Sequence, residues 1–104
     1  MMTPKTAEEA GTELLETIKS CDALKSLTLI QQFKEMMHNQ VVGGDYVVWI
    51  SEPANLTRVH QALADNLQVP PRLLAIRRVS RTRTQKALIL ITAMEIALKR
   101  IYQK

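Results

Sequence analysis

The hydrophobic positions of this chain recur mostly at helical intervals, interrupted by a few turn residues. Thr6-x-x-Glu9 has the spacing of a capping box, and Ala7, Ala10, Leu14, Ile18 and Cys21 follow three or four residues apart. A first helix is predicted over 7–20, with Glu8 and Glu9 at its positive end. Gly11 weakens it by about 1 kcal/mol relative to alanine. A second helix, capped by Asp22 or Ser26, runs to about Asn39. Leu29, Ile30, Phe33, Met36 and Met37 form its apolar side, and Gly43-Gly44 closes it. Residues 46–50, Tyr-Val-Val-Trp-Ile, are all β-branched or aromatic and predict a strand buried on both faces. A lone strand needs a partner, either elsewhere in the chain or in a second copy. Ser51 then caps a helix with Pro53 in its first turn and Leu56, Val59, His60, Leu63 and Leu67 along one face, ended by Pro70-Pro71.

From Arg72 to Lys104 there is no Gly, Pro, Asn or Asp, so no residue suited to a hairpin turn. Read as helix, Leu73, Ile76 and Val79 share an arc opposite Arg77, Arg78 and Arg81, but Arg83 would fall among the apolar positions. The helix must therefore break near Ser80, where Thr82-x-x-Gln85 repeats the capping-box spacing. A short helix over 71–80 and a long one over 83–103 result. The long helix places Ala87, Leu90, Ile91, Met94, Leu98 and Ile101 on one face, and Gln85, Thr92, Glu95, Lys99 and Gln103 on the other. A competing reading makes 73–79 and 87–91 strands, which would supply partners for 46–50. The expected class is α+β, mostly α, with about five helices and one short strand or small sheet near 46–50. It forms one domain over 1–104, with residues 1–5 flexible.

Composition narrows the choices. A chain of 104 residues has room for one domain, and at 46% hydrophobic with only 4% aromatic its core is expected to be aliphatic, built of Leu, Ile, Val, Ala and Met. The single cysteine excludes an internal disulfide framework and a Cys-rich zinc site. The longest apolar run, 87–98, is interrupted by Thr92 and Glu95 and falls short of a membrane span. The first nine residues lack the apolar segment of a secretory signal, so a cytoplasmic protein without membrane contact is expected.

Charge is distributed unevenly. Residues 1–65 carry five basic and nine acidic groups, and residues 66–104 carry nine basic groups and one acid, Glu95. Arg72, Arg77, Arg78, Arg81, Arg83 and Lys86 lie within 15 residues that contain no acid. Arginine's planar fork of donors matches phosphate, and such a cluster would give salt-sensitive binding to a polyanion. The alternatives are a solvated face or neutralisation by Glu8, Glu9, Glu13 and Glu16. Few aromatics lie nearby to stack on unpaired bases. His60 to Leu74, HQALADNLQVPPRLL, resembles a helix-turn-helix, with Leu63, Ala64, Leu67, Val69 and Leu74 at its packing positions. It departs from that pattern in having Gln68 where the turn favours glycine, and Arg77 at a late apolar position. The resemblance implies that Arg72, Arg77 and Arg78 lie on or beside a helix suited to the major groove.

Catalytic chemistry finds little footing. His38 and His60 have no ligand partner at helical spacing, and His60 falls on an apolar face as a hydrogen-bonded core residue. Cys21 is expected to be buried, and Asp45 and Glu52 form no acid–base pair. Gly43-Gly44 precedes the apolar run, the reverse of a phosphate-binding loop. No enzyme activity, cofactor or metal is expected. The reading is a small basic nucleic-acid-binding regulator or accessory protein that contacts phosphates through the 72–86 stretch, with a helix-turn-helix over 60–79. The alternative is an interaction module (adaptor, inhibitor or chaperone) that docks an acidic protein, with homodimerisation a further expectation. For the latter, Ile89 and Ile96 lie off the main stripe of the last helix, and Met36 and Met37 suit an adaptable surface.

Overall fold

Capping side chains set where three of the described helices begin. In the computed structural model, which describes residues 5–76 and 82–103, the first helix is α1 (Ala7–Lys19). Thr6 Oγ1 accepts from the Glu9 amide at 3.1 Å, while Glu9 Oε1 accepts from the Thr6 amide at 3.0 Å. The second box forms in the same way at α5 (Arg83–Tyr102), between Thr82 and Gln85. Of the two candidate caps for α2 (Ala23–Met36), Asp22 is the one used, accepting from the Lys25 amide at 3.0 Å. α2 stops at Met36, and Asn39 instead builds the next turn, its Oδ1 accepting from the amides of Val41 and Val42.

The strand expected at 46–50 is not formed. These residues belong to α3 (Gly43–Ser51), and no strand occurs among the described residues. The run is apolar because α3 is buried over most of its surface, with Val48 alone of residues 46–50 facing solvent. It packs against α1, α2, α4 (Pro53–Leu67) and α5, and Tyr46, Val47, Trp49 and Ile50 are buried. A helix buried on most sides and a strand buried on both faces can each produce an unbroken hydrophobic run, and β-propensity yields to tertiary packing. The need for a partner strand disappears with the strand, as does dimerisation through it. Ser51 ends α3 rather than capping α4, its hydroxyl donating to the Val47 carbonyl at 2.7 Å.

The short helix expected over 71–80 is, in its described part, a single 3₁₀ turn, Pro71–Leu73. Residues 77–81 lie outside the described residues. The alternative strand at 87–91 is instead the interior of α5.

The core is aliphatic along α4 and α5 but not throughout. Phe33 and Tyr46 meet edge to face with centroids 4.7 Å apart, and Trp49 lies 5.7 Å from Phe33. Their polar ends reach the N-terminal segment: Tyr46 Oη donates to the Lys5 carbonyl at 2.7 Å, and Trp49 Nε1 donates to Glu8 Oε2 at 3.0 Å. At the other end Tyr102 Oη donates to the Leu67 carbonyl at 2.8 Å, tying α5 to the end of α4. No helix of the described residues is long and apolar enough to cross a membrane.

Candidate functional site

Three of the six candidate cations fall within the described residues, and all three are exposed. Arg72 sits on the 3₁₀ turn. Arg83 and Lys86 occupy the first turn of α5, three residues apart and so on neighbouring positions of its surface. Arg77, Arg78 and Arg81 belong to the link between these two elements and lie outside the described residues.

Three of the four acids of α1 that could neutralise these cations are engaged elsewhere. Glu8 accepts from Trp49, Glu9 closes the cap of α1, and Glu13 pairs with Lys5 at 2.7 Å. Glu95, the one acid of residues 66–104, is shared by Lys34 at 3.3 Å, Lys99 at 3.5 Å and Gln31 at 3.1 Å. Among the described residues, Arg72, Arg83 and Lys86 form no ion pair. Internal neutralisation by α1 is therefore not realised for them.

The first turn of α5 is electrostatically unusual. A helix N-terminus carries partial positive charge and favours acidic side chains, as Glu8 and Glu9 show at α1. α5 has no acid there and two cations. Its capping box uses the neutral amide of Gln85. Side chains and dipole thus add to one positive field, which an arriving anion would relieve.

The resemblance to a helix-turn-helix is matched in its first half. α4 ends at Leu67, and Gln68 adopts the left-handed conformation, φ 53°, that the turn requires. Leu63, Leu67, Val69 and Leu74 are buried, packing the turn against the helix. The second half departs from it, because residues 71–76 contain one 3₁₀ turn and no helix. Pro70 is extended, φ −61° and ψ 131°, and has no amide donor, so α4 does not continue through it.

Two single-residue expectations are corrected. Cys21 is exposed, since α1 ends at Lys19 and the chain reverses through Cys21 at φ 64°. His60 is half-buried, but its Nε2 atom is buried without a hydrogen-bond partner among the described residues. It lines a hollow of about 420 Å³ with Thr57, Gln61, Ala64, Pro71, Leu74 and Ala75, none of them charged. Burial pushes the His60 imidazole below its ordinary value of 6.5. Because the unfolded chain then binds a proton that the folded chain refuses, stability should fall as pH drops below about 6.5. Urea midpoints at about pH 7.5, 6.5 and 5.5 should decline for the native sequence and stay nearly level for His60→Phe. An unchanged slope in the variant would assign the loss to another group. Glu9 and Glu95 act in a separate window. Thr6 lowers the Glu9 carboxyl; burial raises that of Glu95, but hydrogen bonds from Gln31 and Lys34 outweigh it. Any stability they supply disappears only below their ordinary value of 4.5.

No group of three or more His, Cys, Asp or Glu among the described residues is placed to hold a metal ion. One surface received only part of its due from the sequence. Leu88, Ile89, Thr92, Ala93 and Ile96 form an apolar face on the outside of α5, of which the pattern marked Ile89 and Ile96 and assigned Thr92 to the polar side. Met36 and Met37 do not extend it, since Met37 is buried and Met36 packs on the core. Comparison with family models, curated proteins and solved structures finds no match to this chain, so the site is read from its own geometry.

Proposed function

We propose that the protein is a small nucleic-acid-binding regulator or accessory protein that grips phosphates through Arg72, Arg77, Arg78, Arg81, Arg83 and Lys86. The observation that supports it most directly is that Arg72, Arg83 and Lys86 stand in solvent without carboxylate partners among the described residues, while three of the four acids of α1 are bound elsewhere. The 3₁₀ turn in place of a helix over 71–73 favours phosphate contact over reading of base edges. Affinity should therefore depend on salt far more than on sequence.

Fluorescence anisotropy with duplex and single-stranded probes tests this. Six phosphate contacts imply a slope of log K against log salt near about −5, a loss of roughly 10³ between about 50 and 200 mM. Arg83→Glu with Lys86→Glu should keep the helical circular dichroism, since both side chains are exposed, weaken binding at least about tenfold and flatten the slope by about 2. No binding to either probe at low salt would end this reading. Binding to polyglutamate but not to nucleic acid would transfer the site to an acidic protein partner.

A further inference from the structure

The single acid of α5 divides that helix by charge. Glu95 accepts from Gln31 at 3.1 Å and from Lys34 at 3.3 Å, both on α2, and pairs with Lys99 at 3.5 Å. The side of α5 that faces these groups is therefore compensated from within. Lys86 and Arg100 stand elsewhere. At 3.6 residues per turn, Lys86 lies about 180° round the helix from Glu95, and Arg100 about 140°. Lys86 and Arg100 fall within about 40° of each other, with Ala93 midway between them. Both are exposed, and neither forms an ion pair among the described residues.

One flank of α5 thus carries a cation near each end and no acid. Fourteen residues at 1.5 Å each separate the two by about 21 Å along the axis. Both belong to one unbroken helix, Arg83–Tyr102, so this separation is fixed. A helix C-terminus favours cations whatever it binds, and Lys99 and Arg100 both sit there. The dipole acts on both alike. Direction distinguishes them: Lys99 turns to Glu95, and Arg100 is left in line with Lys86.

One small anion does not reach two cations so placed. Phosphates on each strand of a duplex recur every ~3.4 Å along its axis, so about six base pairs offer negative charge at both ends at once. We infer that Arg100 is a further phosphate contact, and that α5 lies along a nucleic-acid duplex gripped at Lys86 and at Arg100 together. This role rests on the reading of the protein as a phosphate binder and extends it. The basic stretch that closes at Lys86 becomes one end of a longer site. The ligand becomes a duplex of at least about six base pairs, since a nucleotide or free phosphate meets one end only. Arg100 brings a planar fork of donors to the far end, where Lys99 is spent on Glu95.

Anisotropy titrations of the full chain with a duplex of about 12 base pairs, from about 50 to 200 mM salt, test the bridge. Arg100→Gln should flatten the slope of log K against log salt by about 0.9, Lys86→Gln by the same amount, and the two together by about 1.8. Lys99→Gln removes the same charge from the Glu95 side and should move the slope by less than about 0.2. All three positions are exposed, so circular dichroism should not change. Additive losses mean that both ends hold one duplex; ends that bound it in alternation would not add. An Arg100→Gln variant with the native slope, losses that do not add, or a Lys99→Gln variant that flattens the slope as much would overturn the role of Arg100. Continued dependence on Lys86 would then leave the phosphate-binding reading standing. No binding of the native chain to the duplex would overturn both.

Discussion

Replacing Ile50 by alanine should lower the stability of the fold by about 3 kcal/mol, while replacing Val48 by lysine should change it by less than about 0.5 kcal/mol. The contrast follows from α3. On a strand, residues 46, 48 and 50 would lie on one face and suffer together. On the helix, Ile50 is fully buried and Val48 is 41% exposed. Ile50 sits in the element that touches α1, α2, α4 and α5, so its removal leaves a cavity little able to collapse. Val48 borders solvent beside Asp45 and Glu52, where a lysine can extend its chain and meet opposite charge. Urea unfolding of both variants measures the difference. Equal and large losses would restore the strand.

Gly11→Ala should destabilise the protein by about 2 kcal/mol, although alanine is the better helix former by about 1 kcal/mol. Gly11 is buried in the middle of α1 with the Trp49 indole lying against its backbone. A Cβ there would stand 2.6 Å from Trp49 Cη2 and closer still to Cζ2 and Cε2. The indole cannot retreat freely, because its Nε1 donates to Glu8 on the same helix and its ring packs near Phe33. Equilibrium unfolding followed by tryptophan fluorescence reads both the lower midpoint and the altered indole environment. A stabilised variant would mean that the indole does not lie on α1.

Gly11 and residues 46–50 fail to reveal their roles in the sequence for related reasons. A glycine inside a helical stripe announces a local cost, and only the partner that uses the missing side chain gives that cost a purpose. An unbroken apolar run announces burial but carries no period, so helix and strand cannot be told apart within five residues. The basic stretch behaves differently. Its composition is plain, and so is the helix start at Thr82, because capping is a local bond between neighbours. Whether α1's acids would reach those cations depended on where Trp49 and Lys5 came to rest. Ile89 and Ile96 were visible as departures from the stripe, but that Thr92 and Ala93 join them to form one face required the direction of α5's packing.

Local patterns along the chain mark the helix starts at Thr6 and Thr82, narrow that of α2 to Asp22 or Ser26, and carry the stripes of α1, α4 and α5 and the charge imbalance between the two parts of the chain. These are encoded by hydrogen bonds and spacings within a few residues. The tertiary structure alone decided that α3 is a central helix, that Gly11 seats an indole, that Cys21 faces solvent, and that Arg72, Arg83 and Lys86 are left without partners among the described residues. Burial and charge pairing are set by which distant segments meet, and that information lies in the packing of all the helices together.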